Sequence, residues 1–171
     1  GAIRINRTWS DGDEVILTLN APVRTTSWYD RAAVIERGPL VYALRMEENW
    51  QKHICEGDDK VQLGEYYYEV TSTTPWNVAL MGANLNDDNI QQSFIVEKSA
   101  CSDKPWSLES APIKIKAKGR ILPEWTMNRN SAGDFCYYTQ QAPEGEVGEE
   151  VDIELIPFGC TTLRVTEFPV R

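Results

Sequence analysis

Histidine occurs once in the 171-residue sequence, as His53, and that scarcity removes most of the machinery that enzymes use for proton relay. A cysteine or serine nucleophile activated by imidazole would have to use His53, and no nucleophile motif surrounds any cysteine. Cysteine appears four times, at positions 55, 101, 136 and 160, never as a CxxC pair. Zinc sites usually draw two ligands from one such turn; His53-Ile-Cys55 is the nearest approach, so neither a metal nor another cofactor is expected. A chain this long does not need disulfides to hold a core. The cysteines therefore read as buried free thiols, although an oxidising compartment would permit pairing.

Positive charge is also short: 17 basic residues stand against 26 acidic ones, a formal net charge of −9. Lys114, Lys116, Lys118 and Arg120 form the one basic cluster, alternating with Ile113, Ile115, Ala117 and Gly119. That is the period of a strand with one wet face, and it leaves no nucleic acid or anionic membrane among the expected partners. No stretch approaches the roughly 18 apolar residues of a membrane-spanning helix. No basic segment followed by an apolar one opens the chain either, which reads as a mature protein or an excised fragment.

What is abundant is alternation with period two. Ile3 to Trp9 and Glu14 to Leu19 flank Ser10-Asp-Gly-Asp13, a hairpin signature. Further strands are predicted at Val23-Arg24, Ala32 to Ile35, Pro39 to Leu44, Tyr66 to Val70, Gln92 to Glu97, Ile113 to Ile121, Val151 to Ile156 and Thr162 to Thr166. The last two would form a terminal hairpin around Pro157-Phe-Gly-Cys160, and Gly38 would allow a bulge or tight bend. Residues 46–60 read as a long excursion or an inter-domain crossing, and 128–150 as a solvated loop. Ser72, Thr73 or Thr74 would cap a short helical turn starting at Pro75, with Trp76 and Leu80 on one face. The expectation is an all-β fold, an antiparallel β-sandwich built as one sandwich or two small stacked units, with short helical turns and long loops.

Chemistry-bearing candidates are outweighed by plainer readings. Glu124 beside Trp125 could have its pKa raised by an apolar neighbour, yet it reads as a strand-edge residue. Asn84 to Asn89 begins like a calcium loop, but Asn89 replaces the glycine and Ile95 the closing glutamate, leaving a polar turn. Asn6-Arg-Thr8 matches the glycosylation acceptor pattern within a predicted strand. Six tryptophans suit either sugar stacking or core filling. Trp9, Trp50, Trp76, Trp106 and Trp125 lean to packing, with Trp28 balanced between the two.

Several stretches together resemble the C-terminal region of β-L-arabinofuranosidase-type enzymes, glycoside hydrolase family 127 and its relatives. They are Ile3-Arg-Ile-Asn-Arg-Thr-Trp-Ser-Asp-Gly-Asp13, Arg37-Gly-Pro-Leu-Val-Tyr-Ala-Leu44, Ser72-Thr-Thr-Pro-Trp-Asn77, Pro105-Trp106 and Ile156-Pro-Phe-Gly-Cys-Thr-Thr-Leu-Arg-Val-Thr-Glu-Phe-Pro169. Each is short, but they follow that family's order from one end of the chain to the other. The resemblance implies a helical barrel carrying the catalytic glutamate and its cysteine-bound zinc, followed by β-sandwich units. Nothing in this sequence matches that machinery, so no catalytic residue is expected and Cys160 is not promoted to a nucleophile. In that family a segment like Ile3 to Leu19 follows earlier strands of the same sandwich, which this sequence does not contain, so either an open edge is expected or those strands are dispensable.

The resemblance thus implies a non-catalytic β-sandwich module that packs against and supports an upstream barrel. Residues 1–45 would complete an upstream sandwich and 46–171 form the C-terminal unit, unless 1–171 is one continuous domain. The alternative is a carbohydrate-binding module for arabinan or a related plant-type glycan, with Trp28, Trp76, Asn77 and Trp106 as candidate contacts. Relatives of this type act outside the cytoplasm, which implies a periplasmic or extracellular bacterial setting.

Overall fold

The computed structural model describes residues 2–27, 32–130, 133–136 and 145–171. Among them the all-β expectation holds: antiparallel sheets dominate, the largest curling into a half barrel. β1 (Val23–Ser27), β2 (Ala33–Arg37) and β3 (Leu40–Leu44) form a meander. Its second turn is the two-residue Gly38-Pro39, where Gly38 takes φ 58°, the left-handed backbone that tight hairpins favour and glycine adopts freely. β4 (Glu48–Ile54), the helix α1 (Gly57–Leu63) and β5 (Tyr66–Ser72) follow, with β4 and β5 paired as a separate two-stranded sheet.

The main sheet resumes with β6 (Val78–Ala79), the short helix α2 (Ile90–Ser93), β7 (Ile95–Lys98) and β8 (Ile113–Ile121). β9 (Met127–Asn130) and β10 (Gly133–Cys136) pair with each other. β11 (Glu150–Pro157) then lies between β3 and β8, so the sheet crosses residue 45 without interruption. β12 (Glu167–Phe168) pairs with β2.

β8 shows why alternation was a sound guide. Ile115, Ala117 and Gly119 are buried while Lys116 and Lys118 are exposed. On the wet face Lys114 meets Glu154 at 3.1 Å, Lys116 meets Glu97 at 2.8 Å and Lys118 meets Asp152 at 2.6 Å. The three lysines of the basic cluster are therefore paired with acids on neighbouring strands, with little effect on stability because the pairs are solvated. On the inner face Ile35, Tyr42, Leu44, Ile115, Leu155 and Phe168 pack into the core. Each such buried side chain stabilises by about 1.5–3 kcal/mol. Burial also raises the Tyr42 phenol above its ordinary value, an effect that the Arg37 guanidinium partly offsets.

The C-terminal tail runs from β2 and β3 to Leu80 just beyond β6. Val165 O accepts from Leu44 N (2.8 Å) on β3, Phe168 stands opposite Ala33 on β2, Pro169 O accepts from Leu80 N (2.9 Å), and Arg171 N donates to Leu80 O (3.0 Å). Strands β2 and β6, remote in the sheet order, are thus joined through the tail.

Several local expectations change. Ser10-Asp-Gly-Asp13 does turn, with Gly12 at φ 86° and Asp13 N bonded to Ser10 O, but the flanking segments form no strands. Residues 46–54, read as irregular, hold β4. Its polar sequence does not alternate because both faces of the two-stranded sheet are largely wet. Pro75 starts no helical turn; Ser72 Oγ instead satisfies Thr74 N and O, and β6 begins at Val78. The predicted strand at 162–166 is absent because Thr161 to Leu163 are folded around the Glu48 carboxylate, and the terminal strand forms later, at Glu167. The loop expected at 128–150 contains β9 and β10, and the start of the Gln92 strand is the end of α2.

Candidate functional site

No group of three metal-ligating side chains converges among the described residues, and no helix there is long and apolar enough to cross a membrane. Cys55 and Cys160 are buried free thiols, and Cys101 is an exposed one. Burial raises the Cys160 thiol above its ordinary value, the opposite of what a nucleophile needs. His53 stacks on Tyr67 at 4.9 Å and bonds Glu69 at 3.1 Å, with no cysteine as its partner.

Two surfaces stand out among the described residues. One is the N-terminal arm, residues 2–20, exposed throughout. Seven large apolar side chains lie along it, from Trp9 at 47% exposure to Ile16 at 84%. Period-two alternation normally buries one face of a strand; here the alternation is present and the covering layer is not.

The other is a cleft of about 450 Å³ between β4, the turn at 106–109 and the segment 159–164. Trp50 and Trp106 line it together with Glu48, Glu109, Thr162 and Arg164. Both indoles are prominent, at 50% and 63% exposure. Glu48 organises one wall. Its Oε1 accepts from Thr161 Oγ1 (3.1 Å), Thr162 N (2.8 Å) and Leu163 N (3.2 Å), while Oε2 accepts from Trp50 Nε1 (3.0 Å). The other wall is pinned as well: Ser107 and Ser110 exchange hydrogen bonds, and Cys160 Sγ donates to Pro105 O at 3.2 Å.

Burial alone would raise the Glu48 pKa, but the bonds from Thr162, Leu163, Thr161 and Trp50 outweigh it and lower the value below the ordinary 4.5. A lowered folded-state pKa means that the stabilisation is complete above the unfolded value and is lost as pH falls through the folded one. Glu48→Ala is therefore expected to cost about 2 kcal/mol at pH 7, since several donors lose a charged acceptor. Urea unfolding of the two proteins should converge as the pH is taken below 4.5; a constant gap would contradict the assignment.

Of the candidate contacts among the described residues, Trp106 alone lines this cleft. Trp76 packs partly buried on the core, edge to face with the buried Trp125 at 5.1 Å. Asn77 Nδ2 donates to Leu122 O at 2.9 Å, tying its loop down. Trp28 lies outside the described residues. Asn86 and Asn89 spend their amides on Ala83 O, and Asn86 Oδ1 accepts from Asn89 N, the bonds of a polar turn. Glu124 is exposed and Asn6 stands on the arm.

Trp50 was placed with the packing tryptophans, yet it lines the cleft. The signal that could have found it is the pairing of its segment with Tyr66-Tyr-Tyr68 across α1: Trp50, Tyr68 and Tyr66 form an edge-to-face row at 5.6 Å spacings. Comparison of the chain with protein-family models, with curated proteins and with solved structures yields no match.

Proposed function

We propose that the chain is a non-catalytic β module of an arabinofuranosidase-like glycoside hydrolase. Its role is to pack against and brace a helical-barrel catalytic domain in a periplasmic or extracellular setting. The observation that carries this reading is the arm: seven large apolar residues exposed along a segment that pairs with no strand among the described residues. Such a segment carries unpaired N–H and C=O groups together with an apolar face, the two features that make one strand add to another sheet. Covering each of those side chains would be worth about 1.5–3 kcal/mol before the ordering cost of docking.

The test is to produce the barrel alone, with the module, and with the module lacking residues 2–20. The intact pair should melt at least about 5 °C above the barrel alone, and truncating the arm should abolish that gain. The module's own unfolding should change by less than about 0.5 kcal/mol, since surface segments away from the core contribute little. Equal melting of the barrel in all three would end the bracing proposal.

A second reading, glycan binding, is favoured by a separate observation: two prominent indoles line one preformed cleft with carboxylates at its rim. The two readings are compatible, because the arm and the cleft are different surfaces.

A further inference from the structure

We infer that the cleft between β4 and the turn at 106–109 binds a neutral oligosaccharide, stacked on Trp106 and flanked by Trp50, and excludes uronate-bearing chains. The inference rests on the glycan-binding reading and adds the place and the charge class of the ligand.

Ring faces decide the place. Most exposed aromatic rings already have partners: Lys52 Nζ sits 3.8 Å from the Tyr66 centroid, His53 stacks on Tyr67, Arg164 covers Phe158 at 4.4 Å and Arg7 lies over Trp9 at 5.0 Å. Trp106 has no hydrogen bond, ring or cation partner among the described residues, and it is the most exposed tryptophan there. A flat apolar ring standing in a walled cleft offers the C–H face of a sugar what water cannot. The volume lies within the roughly 300–1,000 Å³ of small-ligand sites.

Both walls are set before a ligand arrives. The Trp50 ring is held by Glu48, which is itself fixed by three donors from residues 161–163. The turn bearing Trp106 is locked by the Ser107–Ser110 pair and by Cys160. Preorganisation of this kind lowers the ordering cost that weak sugar contacts must overcome.

Charge decides the class. Glu47, Glu48 and Glu109 stand around the cleft against the single cation Arg164, whose Nε donates to Thr161 O at 3.0 Å while its guanidinium covers Phe158. Glu109 has no ion pair among the described residues and is free to accept from sugar hydroxyls. Glu47 is held by Arg45, so a carboxylate-bearing sugar would meet the like charges of Glu48 and Glu109 here, in a chain whose net charge is already −9.

The experiment is titration of the whole chain, by tryptophan fluorescence and calorimetry, with neutral arabino-, xylo-, gluco- and galacto-oligosaccharides and with oligogalacturonate of matched length. At least one neutral series should bind while oligogalacturonate does not. Trp106→Ala should weaken binding at least tenfold with an unchanged melting curve, whereas Trp9→Ala on the arm should leave affinity intact. Neutral binding that survives Trp106→Ala would overturn the location and leave glycan binding standing. Equal or tighter binding of oligogalacturonate would overturn the charge class alone. Binding of none of these sugars would remove the glycan reading and the inference together.

Discussion

Phe168→Ala is expected to destabilise the protein by about 4 kcal/mol, the largest effect of any single change considered. The ring is fully buried at the far end of the sequence, opposite Ala33, in the cluster that also holds Ile35, Leu80 and Ile115. Removing it takes away the transfer free energy of the ring and leaves a cavity, because residues on either side are fixed by backbone bonds to Leu44 and Leu80. The midpoint of urea unfolding should fall with no change in slope. Phe158→Ala is the control: that ring is exposed beside Arg164, and its loss should cost less than about 1 kcal/mol. A Phe168→Ala effect as small as the control's would mean that the tail does not complete the core.

Gly119→Ala is expected to cost about 3 kcal/mol, for the opposite reason. A methyl group there would stand 2.3 Å from Val78 Cγ1, with Ala79 O at 3.3 Å and Ile153 Cδ1 at 3.5 Å. Val78 is buried, and a β-branched side chain packed in a strand has little rotamer freedom with which to retreat. The strain must therefore spread into the β6–β8 pairing, where Val78 faces Ile121 and Ala79 faces Arg120. The interaction is local, so it can be isolated by a double substitution. Adding Val78→Ala should recover more than half of the loss, giving a coupling energy that two independent lesions would not show. Additive losses would locate the problem elsewhere.

How much of this was legible depends on whether a residue's partner is near it in sequence. β8 was readable because its lysines and isoleucines alternate, and the structure keeps that alternation on two faces. The meander of β1 to β3 was largely readable too, with Gly38 at the bend. The arm carries an equally good pattern from Ile3 to Leu19, yet no strand forms there. Period two reports a tendency toward extended backbone; a neighbour must still supply the ladder. The reverse failure is β4, whose Glu48-Asn-Trp-Gln-Lys-His53 run carries no alternation because neither face is buried. Its match with the tyrosines of β5 and the bonds of Glu48 to residues 161–163 stabilise it.

The cleft was less legible than the fold. Trp50 and Trp106 both leaned to packing, and only the tyrosines beyond α1 offered a signal that set Trp50 apart from a core tryptophan. Their proximity depends on Glu48 bonding to residues 161–163, more than a hundred positions later, and no local pattern encodes such a bond. Trp76 shows the converse: its local setting leaned to packing, and the structure sets its ring against the distant Trp125.

The way the tail bridges β2 and β6 has a consequence for biosynthesis. A nascent chain emerging from the ribosome can make the β2–β3 turn early, but Ala33 and Leu80 must wait for residues 167–171 before their backbone bonds are complete. Until then the half-built core stands open to solvent, the condition in which long-range β proteins aggregate. Final closure is therefore tied to the end of translation of this segment, and delaying its emergence should lengthen the interval in which a chaperone is needed.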